Sequence, residues 1–407
     1  MSGLAAALRV LLPSDQDTLL LRACLHSGES GRNAWTQWTR LAPHPRQPFE
    51  DEYRGLKGLL PLLQEALQRN GIEADKAFQA YVKAARLRED LRSRIVRPIM
   101  GEVFDTLARH DIRAIALKGC AIMDSHYPDP AVRHCHAVNV LVDDDAVGRV
   151  ADLVAPLGFV PDRAGPMAGQ GPVVFRHRTG FPLEVYPRLF RIPYYQAPVA
   201  EVWSRSRPVE IAGGPVRVLA PDDNLIHICA NAASDRSRAN LRWACDAWHV
   251  LQGSDAVDWA RFGATVAQSR LGLPMAGIMT YLAERLDAPV PDATLAALAE
   301  QAADSDGLAG QAALMGALTG VQAAYQALVR EAPDAASRAA ILRYILLPSP
   351  AVIRWSHPRS HPLWLPLLYA ARPLRYLVSR LLWRLRARAG DDLDAQAAPR
   401  KTQTASV

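Results

Sequence analysis

The stretch Ile115–Val142, IALKGCAIMDSHYPDPAVRHCHAVNVLV, constrains this chain more than any other. Ile112 to Leu117 is an apolar run of buried-strand type that ends on the turn Lys118-Gly119. After a polar interval, the run Ala137 to Val142 reads as a second strand. Alternation with period two puts Ala137, Asn139, Leu141 and Asp143 on one of its faces. A third run, Phe181 to Tyr186 (FPLEVY), sets Glu184 in the middle of an apolar strand. Val173 to His177 is a further strand, and Val209 to Leu219, interrupted by Gly213-Gly214-Pro215, reads as a hairpin. With the amphipathic helix Val147 to Leu157 between them, these short strands suit an α+β core better than a regular βαβ array.

Around this core the chain reads as helical. With 407 residues it is long enough for two or three cores, and the pattern divides it into four regions. Residues 1–110 are helical, with Leu56, Leu59, Leu60, Leu63 and Leu67 at helical spacing. A long run from Ala74 to Ala108 follows, which Pro98 is expected to kink or split. Arg32 to Glu52 shows no clear period and reads as a connecting loop. Residues 111–220 form the α/β core. Residues 221–347 return to helix: Asp222 and Asp223 cap one helix, Leu241 to Leu251 forms a Trp-rich one, and Ala-rich helices follow from Pro291 to Leu346. Residues 348–407 hold an Arg-Leu helix, Pro373 to Arg388, and a polar tail from Gly390 that reads as disordered.

Composition bounds the function classes. Hydrophobic residues make up 49% and charged residues 22%, an ordinary globular balance. The net charge of +6 permits contact with nucleic acid or anionic lipid but carries no specific nucleic-acid signal. Part of the excess sits in Arg372 to Arg388, which holds six arginines and no acid. That helix is a candidate for an anionic membrane surface, for a partner, or for the protein's own helical region. Five scattered cysteines include no CxxC pair, so neither a disulfide framework nor a zinc knuckle is expected. With neither a basic leader nor a long apolar span, the expectation is a cytoplasmic protein, peripheral at the inner membrane face if the Arg-rich helix binds lipid.

Several constellations admit chemistry. Lys118-Gly119 is either a phosphate cradle, in which the glycine allows close backbone approach and the lysine neutralises charge, or a solvated turn after a buried strand. Arg133 either contacts a triphosphate or caps local carboxylates. Glu184 is either a buried metal ligand or an outward-facing strand acid. His126, His134, Cys135 and His136 lack a second half with ligand spacing and read as loop residues rather than a zinc site. His227 and Asp246 are candidates for a supporting pair at the site, for a nucleotide-side contact, or for a helix–helix hydrogen bond.

Taken in order, Leu117-Lys118-Gly119, Tyr127-Pro128, Arg133, the Ala137–Val142 strand and Glu184-Val185-Tyr186 resemble the uncharacterised nucleotidyltransferase family of bacteria. That family is a branch of the polymerase-β-type superfamily. Asn224-Leu225-Ile226-His227 and Leu241–Asp246 resemble its helical domain, and the resemblance covers roughly residues 10–350. It implies a nucleotidyltransferase-like palm that moves a nucleotidyl group from an NTP to an unknown acceptor with Mg²⁺. Glu184 would hold the metal, Asn139 would be a weakened ligand, Lys118 and Gly119 would cradle phosphates, and Arg133 would stabilise charge. The departures are specific. Where the family strand carries two aspartates this chain has Ala137 and Asn139, and Tyr186 stands in place of a histidine. Asp143 lies four residues past Asn139, about 13 Å along a strand, and is too far to substitute for either aspartate. The alternative reading is therefore a catalytically inactive palm that binds a nucleotide or a partner.

Overall fold

The computed structural model describes residues 11–50, 55–162, 172–192, 194–234, 241–253, 255–304, 329–330, 335–347 and 364–371. The helix expected over Pro373 to Arg388 and the tail from Gly390 lie outside them, as does most of the alanine-rich stretch after Asp304.

The chain opens with helices α1 (Asp15–Leu25), α2 (Gly28–Leu41), α3 (Leu60–Arg69) and α4 (Lys76–Arg109). The sheet follows: β1 (Ala114–Ala116), a short α5 (Gly119–Ile122), β2 (Val138–Val142), α6 (Val147–Val154), β3 (Phe159–Pro161), β4 (Val173–His177), β5 (Pro182–Tyr186), α7 (Val199–Arg205), β6 (Arg207–Ile211) and β7 (Gly214–Val218). Helices then close the fold as α8 (Pro221–Ser234), α9 (Arg242–Gln252), α10 (Trp259–Gln268), α11 (Gly272–Leu286), α12 (Asp292–Asp304) and α13 (Ala335–Leu346). The architecture is thus a mixed α+β sheet flanked by helices on both sides in sequence.

The sheet order is β3-β4-β5-β2-β1-β7-β6. β2 lies at its centre, antiparallel to β1 and parallel to β5. All five residues of β2 are buried, as a strand covered on both faces requires. Pairing β2 with β5 in register sets Asn139 beside Glu184 and Leu141 beside Tyr186. A one-residue slip would turn Glu184 to the opposite face, so this register decides whether a polar site exists at all.

Three local readings of the sequence are corrected. Gly28–Leu41 is a helix, where a loop was expected from Arg32 onward; Gly31, Ala34, Trp35 and Trp38 form its buried stripe. Trp38 stacks on Trp35 and packs against Phe49, so burial of large rings outweighs the polar residues between them. Of the two outcomes expected at Pro98, the split does not occur: α4 is one helix through it. Pro98 is exposed, while Val96, Met100, Val103 and Phe104 on the other side are buried and hold the helix on the core. At Gly101 that helix meets the β6–β7 turn so closely that a Cβ would lie 2.2 Å from the Ala212 carbonyl oxygen. Asp222 and Asp223 do not cap α8 as expected. They lie buried in its first turn and form ion pairs with Arg261 and Arg205.

Candidate functional site

The site grows from the end of β1. Leu117 donates its backbone N–H to the Asn139 carbonyl, so the chain turns at Lys118-Gly119 directly beside β2. Lys118 takes φ 57 and ψ −139, a conformation that β-carbon-bearing residues seldom adopt and that costs on the order of 1–3 kcal/mol. The turn brings the Lys118 side chain over the β2–β5 pair. Its Nζ donates to Tyr186 Oη at 2.5 Å and lies 3.7 Å from Glu184 Oε2. The ammonium also sits 4.6 Å from the centre of the Tyr186 ring.

Glu184 is the acceptor at the centre of this cluster. Its Oε2 receives the Tyr186 hydroxyl at 2.5 Å and the Asn139 amide, through Nδ2, at 3.1 Å. Four of the residues singled out from sequence, Lys118, Asn139, Glu184 and Tyr186, therefore meet in one network. Its charges balance internally: one carboxylate, one ammonium, and two neutral donors. Ala137, just before β2, is buried and contributes no polar side-chain atom.

Arg133 and Gly119 stand differently. Arg133 is buried, and its Nε and Nη2 donate to Asp246 Oδ1 and Oδ2 at 2.7 and 2.6 Å. Its Nη1 donates to the His134 carbonyl oxygen. Burial alone would lower the pKa of this guanidinium, but Asp246 outweighs it and holds the group charged. Tyr127 adds a third bond to Asp246 at 2.6 Å, and burial followed by the Asp246 charge pushes its hydroxyl well above the ordinary tyrosine range. A Cβ on Gly119 would fall 3.0 Å from Arg133 Nη1. The glycine thus leaves room for the guanidinium as it crosses the turn. Of the two sequence readings of Arg133, the structure places it against a carboxylate on α9.

The pair expected between His227 and Asp246 is not formed. Asp246 is taken by Arg133 and Tyr127, and His227 instead meets the Asn231 amide on its own helix at 2.9 Å. His227 is fully buried, and desolvation, reinforced by the positive charge of Lys118, lowers its pKa to about 3. An unfolded histidine titrates near 6.5. Between those values the unfolded chain binds a proton that the folded one refuses, so stability falls as pH drops below about 6.5. We expect His227→Gln to flatten the slope of unfolding free energy between pH 6 and pH 5 by about 1.4 kcal/mol per pH unit, read by denaturant titration at each pH. An unchanged slope in a folded variant would contradict the buried neutral histidine.

The histidines of the loop before β2 are held individually. His134 Nδ1 pairs with Glu89 Oε2 of α4 at 2.6 Å, and His136 faces the Arg242 guanidinium at 3.4 Å. Among the described residues no group of three or more His, Cys, Asp or Glu side chains could hold a metal ion.

That last point tests the fit of Mg²⁺. Magnesium takes hard oxygen ligands, chiefly carboxylates, in near-octahedral geometry. Here Ala137 offers none, the Asn139 amide turns its N–H side to Glu184, and an ammonium lies 3.7 Å from the one carboxylate present. These residues do not fit a divalent metal centre of the kind that the family strand implies.

Three partners were not legible in the sequence. Asp246 for Arg133, Glu89 for His134 and Tyr186 as the bridge from Lys118 to Glu184 are separated from them by 113, 45 and 68 residues. Only Tyr186 carried a local signal, by sharing the strand face of Glu184.

No curated protein and no solved structure matches the chain. A family model described as an uncharacterised nucleotidyltransferase matches residues 56–287, from just before α3 through α11. That is more than half of the 407 residues and includes the whole sheet, the Lys118-Gly119 turn, Glu184 and Asp246. The chain belongs to the uncharacterised nucleotidyltransferase family.

Proposed function

We propose that this chain is a nucleotidyltransferase-fold protein that binds a nucleotide without divalent metal and does not transfer it. One observation carries the reading: where a metal centre would be assembled, Lys118, Tyr186, Glu184 and Asn139 form a charge-balanced hydrogen-bonded network. Nucleotidyl transfer needs metal ions to bridge phosphate oxygens and neutralise developing charge. A lone carboxylate already opposed by an ammonium is a poor support for that work. What remains suited to a nucleotide is the turn itself. The strained backbone at Lys118 is the type of outlier that persists at binding sites, and it presents a cation beside the sheet. A phosphate would compete with Glu184 for that ammonium.

Nucleotidyl transfer to an unknown acceptor is the second reading. It is favoured by the family match and by Glu184, which stands in register with the β2 position of the missing aspartate. The two readings separate on product. Incubation with each NTP and Mg²⁺ is expected to release no pyrophosphate above a no-protein control. Release that Glu184→Ala abolishes would establish the transferase instead.

A further inference from the structure

The long helix α4 carries two apolar stripes, where a surface helix ordinarily carries one. Phe78, Val82, Val96, Met100 and Val103 hold the first on the core. The second faces away from it. Leu87, Leu91 and Ile95 are 59%, 52% and 58% exposed, and the exposed Ala77, Ala80 and Ala84 extend their stripe toward the helix N-terminus. The six residues follow one another in steps of three and four, the spacing of a seam that faces a second helix. At a rise of about 1.5 Å per residue the stripe is about 27 Å long. A contiguous exposed apolar surface of this kind marks an interaction site.

The charges beside the stripe select what it can hold. At about 100° per residue, Lys76 and Lys83 flank it on one side and Arg88 on the other, and all three are exposed. Arg86, Arg94 and Arg97 of the same helix are engaged by Asp129, Asp90 and Asp124, whereas Lys76, Lys83 and Arg88 have no ion pair among the described residues. Uncompensated positive charge therefore borders the apolar seam on both sides, which suits an acidic partner. A second copy of the chain would not supply one, because a two-fold interface sets the same patch against itself and brings these cations together. A lipid surface gains little from three alanine methyl groups, whereas a facing helix can lay its own large side chains over them.

We propose that the outer stripe of α4 docks an acidic amphipathic helix of a partner protein, its apolar face on Leu87, Leu91 and Ile95 and its carboxylates against Lys83 and Arg88. The surface is independent of the nucleotide reading, since it shares no residue with the Glu184 network. The test titrates the full-length protein into a fluorescein-labelled 21-residue helical peptide, read by fluorescence anisotropy. The peptide carries leucine at heptad positions a and d and glutamate at e and g, and its own like charges keep it from self-pairing (about 21 residues is three heptads). Saturable binding is expected, with a peptide carrying lysine in place of glutamate weaker by about tenfold or more. Leu91→Asn should weaken binding of the glutamate peptide by about tenfold. Lys83→Glu with Arg88→Glu should do the same by a separate route, at exposed positions away from the core. No saturable binding, equal binding of the two peptides, or unchanged affinity in Leu91→Asn would each overturn the proposal. So would phosphatidylglycerol vesicle binding or dimerisation that Leu91→Asn abolishes where the glutamate peptide fails to bind, which would assign the stripe to lipid or to a second copy.

Discussion

Asp246→Ala should destabilise this protein by about 3–5 kcal/mol, the loss expected when one member of a buried ion pair is removed. Both partners are buried: Arg133 is 8% exposed and Asp246 4%. The substitution strands the guanidinium in a site where water cannot replace the carboxylate, and it also leaves the Tyr127 hydroxyl without its acceptor. The pair joins the loop before β2 to α9, so its loss loosens the contact between the sheet and the helices that follow it. Urea titration of the wild type and Asp246→Ala checks the figure. Arg133→Met combined with Asp246→Leu should be less destabilised than Asp246→Ala alone, because no unpaired charge is then buried. A loss below about 1 kcal/mol, the range of exposed pairs, would contradict the structural role given to Arg133. The same experiment bears on function, since a guanidinium held by two hydrogen bonds to one carboxylate is a poor candidate for binding a triphosphate.

The second large effect is a metal dependence created by substitution. Ala137→Asp together with Asn139→Asp places one carboxylate just before β2 and one within it, the latter about where the Asn139 amide now lies 3.1 Å from Glu184 Oε2. Two like charges at about 4 Å repel by roughly 4 kcal/mol at an effective dielectric near 20, and Lys118 offsets only part of this. In EDTA the double variant should therefore be less stable than the wild type. Millimolar Mg²⁺ or Mn²⁺ should return that stability, because a ligand that binds only the folded state adds about 2.7 kcal/mol at a hundred times its dissociation constant. The wild type should show no such metal effect. If the folded double variant is equally stable with and without metal, then β2 and β5 do not present these positions to a common point.

The sequence carried the sheet well and the site's partners poorly, for a physical reason. Strands such as Ala137–Val142 and Phe181–Tyr186 announce themselves through local apolar runs, and a glycine turn after a buried strand is equally local. The alternation that puts Asn139 and Leu141 on one face needs no knowledge of the rest of the chain. The same holds for the Val209–Leu219 hairpin, which the structure forms between Arg207–Ile211 and Gly214–Val218. Partnerships made by packing are different. Nothing near Arg133 points to Asp246, and nothing near His134 points to Glu89, because those contacts exist only once α9 and α4 have packed on the core. Asp222 and Asp223 look like helix-capping acids from their position, yet burial turns them into ion-pair partners of Arg261 and Arg205. The helix at Trp35 and Trp38 failed for a related reason: its buried face is carried by few residues, and the polar side chains between them hide the period.

The central claim is that Lys118, and not a divalent ion, supplies the positive charge at this site. Calorimetric titration of the purified protein with each of the four NTPs, in EDTA and again in excess Mg²⁺, tests it most directly. Binding is expected whose affinity differs by less than about threefold between the two conditions, under 1 kcal/mol. Lys118→Met should remove that binding in both. Affinity that rises tenfold or more with Mg²⁺, about 1.4 kcal/mol, and that falls back in Glu184→Ala would contradict the claim and identify a working metal centre.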